Sequence, residues 1–280
     1  APFTTNRASV APVLDLLREG RASLATSFAG YKYTILYGLA SSTYKVFQYS
    51  LAVRSCLAAN YLSDLVGFVA YSWALSFSRP SPILVGERPT SSLFSLFTCS
   101  SICGQWMLNT MFQAIAIGMV VTHEDFVAFP SHFVRVTEWW KMTRNWESNV
   151  LNHVWNFQQF WSGVVFSFGY VFRLPWYMNV QLVVVFLATM LFVSFLLLSD
   201  ANAVTRVFHL VYEPVVEYEP WSFDFPCPVF PKSLRQQIFA LMLLNMAVVG
   251  SFERFVIIGP VGSWVRTKMR RLSKHVTLRM

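Results

Sequence analysis

The chain has 280 residues, of which 55% are hydrophobic and only 13% charged, with a formal net charge of +8. Average soluble chains carry about 25% charged residues, so half that supply cannot cover a water-facing surface. The mean hydropathy of +0.45 points the same way, to an all-α integral membrane protein. Disordered, fibrous and disulfide-rich classes are excluded. Cys56, Cys99, Cys103 and Cys227 are too few and too scattered for a disulfide framework, and a basic balance implies nucleic acid only in a soluble chain.

The chain opens A-P-F-T-T-N-R with neither Met nor a signal-peptide pattern, and residues 1–24 hold no long apolar run. These features predict a segment of a longer protein. Residues 27–78 are apolar apart from Lys32, Lys45, Arg54 and Asp64. That stretch is too long for one membrane helix of about 20 residues and predicts a helical hairpin turning near Ser50. Residues 89–122, 148–172, 174–199 and 236–252 contain no Asp, Glu, Lys or Arg. The predicted elements are therefore six transmembrane helices over 27–49, 54–78, 91–122, 149–172, 179–199 and 236–258.

Six spans put both termini on one side of the membrane. Of the 22 Lys and Arg residues, 13 fall on that side, including Arg7, Arg18 and Arg21 before the first span and Arg266 to Arg279 after the last. Basic residues accumulate on the cytosolic face, so both termini are predicted cytosolic. The facing loops, 123–148 and 200–235, hold nine of the 14 acidic residues and are predicted luminal or extracellular. The basic tail, residues 259–280, is predicted to contact anionic lipid headgroups, at about 1 kcal/mol per charge near the surface.

An ionisable group at bilayer depth costs roughly 2.5 to 3.5 kcal/mol on insertion scales, so each one needs a partner or a purpose. With the hairpin turning near Ser50, Tyr37 before it and Asp64 after it both lie about 20 Å along their helices at 1.5 Å per residue. The two are predicted to face each other. A carboxylate beside a phenol ring offers a cation charge neutralisation and a π face, whereas a structural Asp would be protonated or paired with Lys45 or Arg54. Lys32 and Lys45, near the ends of the first span, are predicted to snorkel to headgroups, and Glu253 to pair with the adjacent Arg254 at the interface. Gln105, Asn109 and Gln113 form a polar stripe, repeated by Asn152 and Asn156, and such stripes act as hydrogen-bonding glue between helices. Cys99 and Cys103, four apart, read as small residues for close helix approach rather than ligands of a soft metal. The five His show neither metal-ligand spacing nor a nucleophile partner, and no Gly-rich phosphate loop occurs, so any energy source lies outside this segment.

A-P-F-T at residues 1–4, L-R-E-G-R-A-S-L-A-T-S-F from Leu17 to Phe28 and K-Y-x-x-L-Y from Lys32 to Tyr37 begin an ordered series. It continues with Asp64-Leu65, Arg88-Pro89, Phe157-Gln158, F-R-x-P-x-Y-x-N from Phe172 to Asn179, and Leu244-Asn245 with Glu253 eight residues on. The series resembles the C-terminal membrane region of type V P-type ATPases, closest to group B, the endosomal and lysosomal polyamine exporters. The resemblance implies that the six spans are helices five to ten of a P-type pump core. Residues 1–24 would be the end of the cytosolic phosphorylation domain, 25–258 the transmembrane domain and 259–280 the cytosolic tail. It further implies ATP and Mg2+ bound outside this segment, a polyamine or other organic cation as substrate, and an endosomal, lysosomal or vacuolar membrane. The substrate-binding positions it marks are Tyr37, Ser41 and Asp64, with no catalytic residue in the segment. Ser41 stands where the family usually carries Gln, Leu57 where an acidic residue is common, and Phe168 where Ser-Lys-Gly has its Lys. Two alternatives stay open, a group A-like dislocase of transmembrane helices and a non-catalytic membrane scaffold. An intact D-K-T-G-T motif upstream would separate a pump from a scaffold.

Overall fold

The computed structural model describes residues 6, 9–86, 89, 92–169, 171–214, 227–265 and 268. Arg7, Arg88 and most of the basic tail lie outside the described residues. Among those described the chain is helical and contains no strand, only an isolated antiparallel bridge between Pro80 and Arg173.

Helix α1 spans Ala11–Ser50. At 1.5 Å per residue it is about 60 Å long, twice the bilayer core, and it runs without a break through the boundary expected after residue 24. Pro12 in its first turn places a missing N–H where none is needed. The helix stops at Ser50, where the turn was expected. There Ala52 takes a left-handed φ of 52° and the Val53 amide returns to the Gln48 carbonyl at 2.9 Å, closing the end. The second arm is α2 (Leu57–Tyr61), a π-helical segment Leu62–Ala70, and α3 (Tyr71–Leu75).

Helices α4 (Leu96–Val121), α5 (Trp146–Val165) and α6 (Val180–Leu198) each start on a side-chain cap. Ser95 accepts the Thr98 amide at 3.2 Å, Asn145 that of Ser148 at 2.7 Å and Asn179 that of Leu182 at 3.1 Å. Asn179 also donates to the Ala74 carbonyl at 2.8 Å, tying α6 to the end of α3. The predicted fourth span overran its helix: α5 ends at Val165, and Gly169, with φ +127°, adopts a backbone that other residues rarely take. Arg173, expected as a cytosolic charge, is 5% exposed, and its guanidinium donates to the Phe166 carbonyl at 3.3 Å. A cation suits that end of the helix dipole. A short α7 (Ala203–Val207) precedes α8 (Lys232–Ser251), which continues into a π-helical segment Phe252–Ile258.

Helix α5 is the axis of the bundle. Every residue of it but Trp161 is buried, and it packs on α1, α4, α6 and α8. That position explains its composition. A helix walled in by protein can carry Asn, Gln and His because neighbouring helices supply their partners. Two helical stretches, Val180–Leu198 and Lys232–Val265, are long and apolar enough by themselves to cross a membrane.

Candidate functional site

The K-Y-x-x-L-Y stretch puts Tyr33 and Tyr37 on the α1 face that meets the π-helical segment. The Tyr37 hydroxyl donates to Asp64 Oδ1 at 2.5 Å, the pairing expected from their equal distances to the turn. Asp64 lies in the first turn of the π-helix. Two carbonyls of that segment accept a second donor: Gln159 Nε2 reaches Ser63 O at 2.8 Å, and the Tyr33 hydroxyl reaches Gly67 O. Isolated π-turns inside helices mark functional sites more often than chance, and here a side chain from α5 and one from α1 hold the widened turn. Gly67 is required by close approach, because a Cβ there would stand 2.4 Å from Gln159 Nε2.

Aromatic rings surround the pair. Tyr37 stacks on Phe68 at 4.6 Å between centroids and tilts against Trp155 at 5.8 Å. Trp155 in turn stacks on Tyr44 at 5.4 Å. A small cavity behind Tyr37 is lined by Tyr33, Asn109, Trp155, Gln158 and Gln159 among others. Asp64 is exposed and Tyr37 half-buried, so the carboxylate is accessible from one side while the rings close the other. Ser41 lies one turn beyond Tyr37 and is half-buried. Among the described residues no hydrogen bond joins it to Tyr37 or Asp64. Phe68 was within reach of sequence reasoning, being four residues after Asp64 on a helix; Trp155 and Gln159 were not, because nothing local relates α5 to α1.

The polar stripes do join helices. Gln105, Asn109 and Gln113 are all buried. Gln158 donates to the Asn109 carbonyl at 2.8 Å, and Asn245 to Asn109 Oδ1 at 3.2 Å. On α5, Asn152 accepts from Tyr44 and Asn156 from Ser63 Oγ at 3.1 Å. Lys45 folds back on its own helix, donating to Gln48 at 3.2 Å over the Tyr44 ring.

The expectations for Lys32 and Glu253 are overturned. Lys32 does not snorkel: its Nζ lies 2.7 Å from Glu253 Oε1, and Glu253, 1% exposed, faces into the bundle rather than pairing at the interface with its neighbour Arg254. The reason is the second π-helical segment, which carries Glu253 in its first turn and points it at Ser101 and Gln105 of α4. Cys99 and Cys103 are free thiols, and no three of His, Cys, Asp or Glu come together among the described residues.

No family model matches the sequence. Among curated proteins, the polyamine-transporting ATPase 13A3 of Mus musculus is 26% identical over 230 residues, 76% of this chain and 19% of that protein. The polyamine-transporting ATPase 13A2 of Homo sapiens is 30% identical over 190 residues, 66% of this chain and 15% of that protein. The probable manganese-transporting ATPase PDR2 of Arabidopsis thaliana is 31% identical over 123 residues, 44% of this chain and 10% of that protein. The chain thus spans at most about a fifth of the length of these relatives.

Proposed function

We propose, from its kinship with type V P-type ATPases of the mainly polyamine-transporting kind, that the chain is the membrane part of an ATP-driven pump that exports polyamines from an endosomal, lysosomal or vacuolar lumen to the cytosol. The 2.5 Å bond between Tyr37 and Asp64 carries this proposal. A carboxylate held at depth beside stacked rings is a receptor for an alkylammonium. Asp64 neutralises the charge and accepts its N–H groups. Tyr37 orients the carboxylate, and with Phe68 and Trp155 it offers aromatic faces to the cation and its methylenes. Two oxygens fit an ammonium better than a manganese ion, which favours an octahedral set of oxygen ligands.

In this proposal α1, the α2–α3 arm, α4, α5, α6 and α8 are the six membrane crossings, with both termini cytosolic and the basic tail against anionic lipid. Helix lengths and the distribution of Lys and Arg support that arrangement. ATP and Mg2+ bind in cytosolic domains upstream and supply the energy. The residues here hold neither, and bind, orient and enclose the cation. Asp64→Asn in the full-length protein tests the site through polyamine-stimulated ATPase activity. Stimulation is expected to be lost or to need a much higher polyamine concentration; unchanged stimulation at an unchanged half-saturating concentration refutes the role of Asp64.

A further inference from the structure

The bundle holds a second carboxylate that the Tyr37 and Asp64 pair does not use. Glu253 Oε1 accepts from Lys32 Nζ at 2.7 Å and from Ser101 Oγ at 2.8 Å, and Oε2 accepts from Ser101 Oγ at 2.7 Å and Gln105 Nε2 at 3.1 Å. The Lys32 ammonium also lies 4.6 Å from the centroid of the Phe166 ring. A carboxylate, fixed neutral donors that orient it and an aromatic face over the cation are together the components of an alkylammonium receptor.

We propose that Glu253, Ser101, Gln105 and Phe166 form a second alkylammonium site, which the Lys32 side chain fills as a tethered primary amine and from which it excludes free amines. This site shares no residue with the Asp64 site, and its existence does not depend on the pump assignment. Two observations distinguish it from a plain ion pair. Ser101 and Gln105 engage the carboxylate from α4 and so shape the site without Lys32. Gln105 Oε1, on a residue with no exposed surface, has no hydrogen-bond partner, so the amide that holds the carboxylate keeps an unused acceptor. An ammonium has three donors. Lys32, held by its stem on α1, makes one hydrogen bond to Glu253, and an untethered amine is free to shift toward the spare acceptor. The requirement for N–H donors selects a primary amine and rejects a quaternary one.

The test uses the full-length protein in detergent and reads thermal unfolding, with n-propylammonium as the probe because it is the part of the side chain that Lys32→Ala removes. Lys32→Ala is expected to lower the melting midpoint. Propylammonium is then expected to raise it again saturably, as a ligand of the native state does, and by more than it raises the wild type, in which only the Asp64 site is open to it. Tetramethylammonium and sodium chloride at equal concentration are expected to give no such excess, and Lys32→Ala with Glu253→Gln is expected to respond no more than the wild type. Should Lys32→Ala fail to accumulate as folded protein, its accumulation with propylammonium in the growth medium is the readout, with Lys32→Met and Glu253→Gln together as the charge-neutral control for folding. A Lys32→Ala midpoint that propylammonium raises no more than it raises the wild type, or one that tetramethylammonium raises equally, overturns the proposal. Because unfolding is read without turnover, that result is distinct from a failure of the Asp64 test, which is read as ATPase activity.

Discussion

Gly67→Ala probes the turn that presents Asp64. The new Cβ would stand 2.4 Å from Gln159 Nε2 and 2.6 Å from its Cδ, distances that force the amide aside. Gln159 is only 4% exposed, so it cannot swing into solvent. Its 2.8 Å bond to the Ser63 carbonyl breaks. A lost hydrogen bond contributes about 0.5–1.5 kcal/mol, and a buried donor left without a partner costs about 1–3 kcal/mol. A net loss of about 2 kcal/mol follows, read as a lower melting midpoint. Because Ser63 and Gly67 flank Asp64, the half-saturating polyamine concentration is expected to rise as well. Thermal unfolding of the full-length protein in detergent, with ATPase titrations on the same preparation, reads both effects. Gln159→Ala vacates the space, so the double variant is expected to lose less than the sum of the two single changes, with a coupling of about 0.5–3 kcal/mol. A Gly67→Ala midpoint within about one degree of wild type, or strictly additive losses, refutes the packing that we derive for the π-turn.

Tyr37→Phe keeps the ring stacks on Phe68 and Trp155 but removes the donor to Asp64. The half-saturating polyamine concentration is expected to change about tenfold, the equivalent of 1.4 kcal/mol, with little change in melting midpoint; an unchanged titration removes Tyr37 from the site. Gly104→Ala and Gly118→Ala, on one helix, are expected to act in opposite directions. A Cβ at Gly104 would meet Phe252 Cζ at 2.3 Å, whereas one at Gly118 meets nothing within 4 Å. The first is expected to destabilise by about 1–3 kcal/mol and the second to stabilise by up to about 1 kcal/mol through helix propensity; equal midpoints contradict this.

Helices, their order and the turn at Ser50 were legible in the sequence because charge is scarce and marks where apolar runs stop. The facing of Tyr37 and Asp64 was legible too, since a hairpin with a known turn fixes depth by arithmetic. The partner of Glu253 was not. Reading along the chain favours Arg254, one residue away, over Lys32, 221 positions away, and only a π-turn that rotates the carboxylate inward reverses that order. The contact of Arg173 was not legible either, because its guanidinium is buried against the Phe166 carbonyl at the end of α5.

The sequence by itself determined a helical protein suited to lipid and the two side chains that meet across its first hairpin, because hydropathy and rise per residue act locally. The tertiary structure alone decided which polar groups bind one another across helices. Gln159 at the Asp64 turn, Asn109 between Gln158 and Asn245, and Lys32 in the Glu253 site all depend on where α5, α4 and the last helix lie around α1. Helix packing sets those positions, and no local periodicity encodes them.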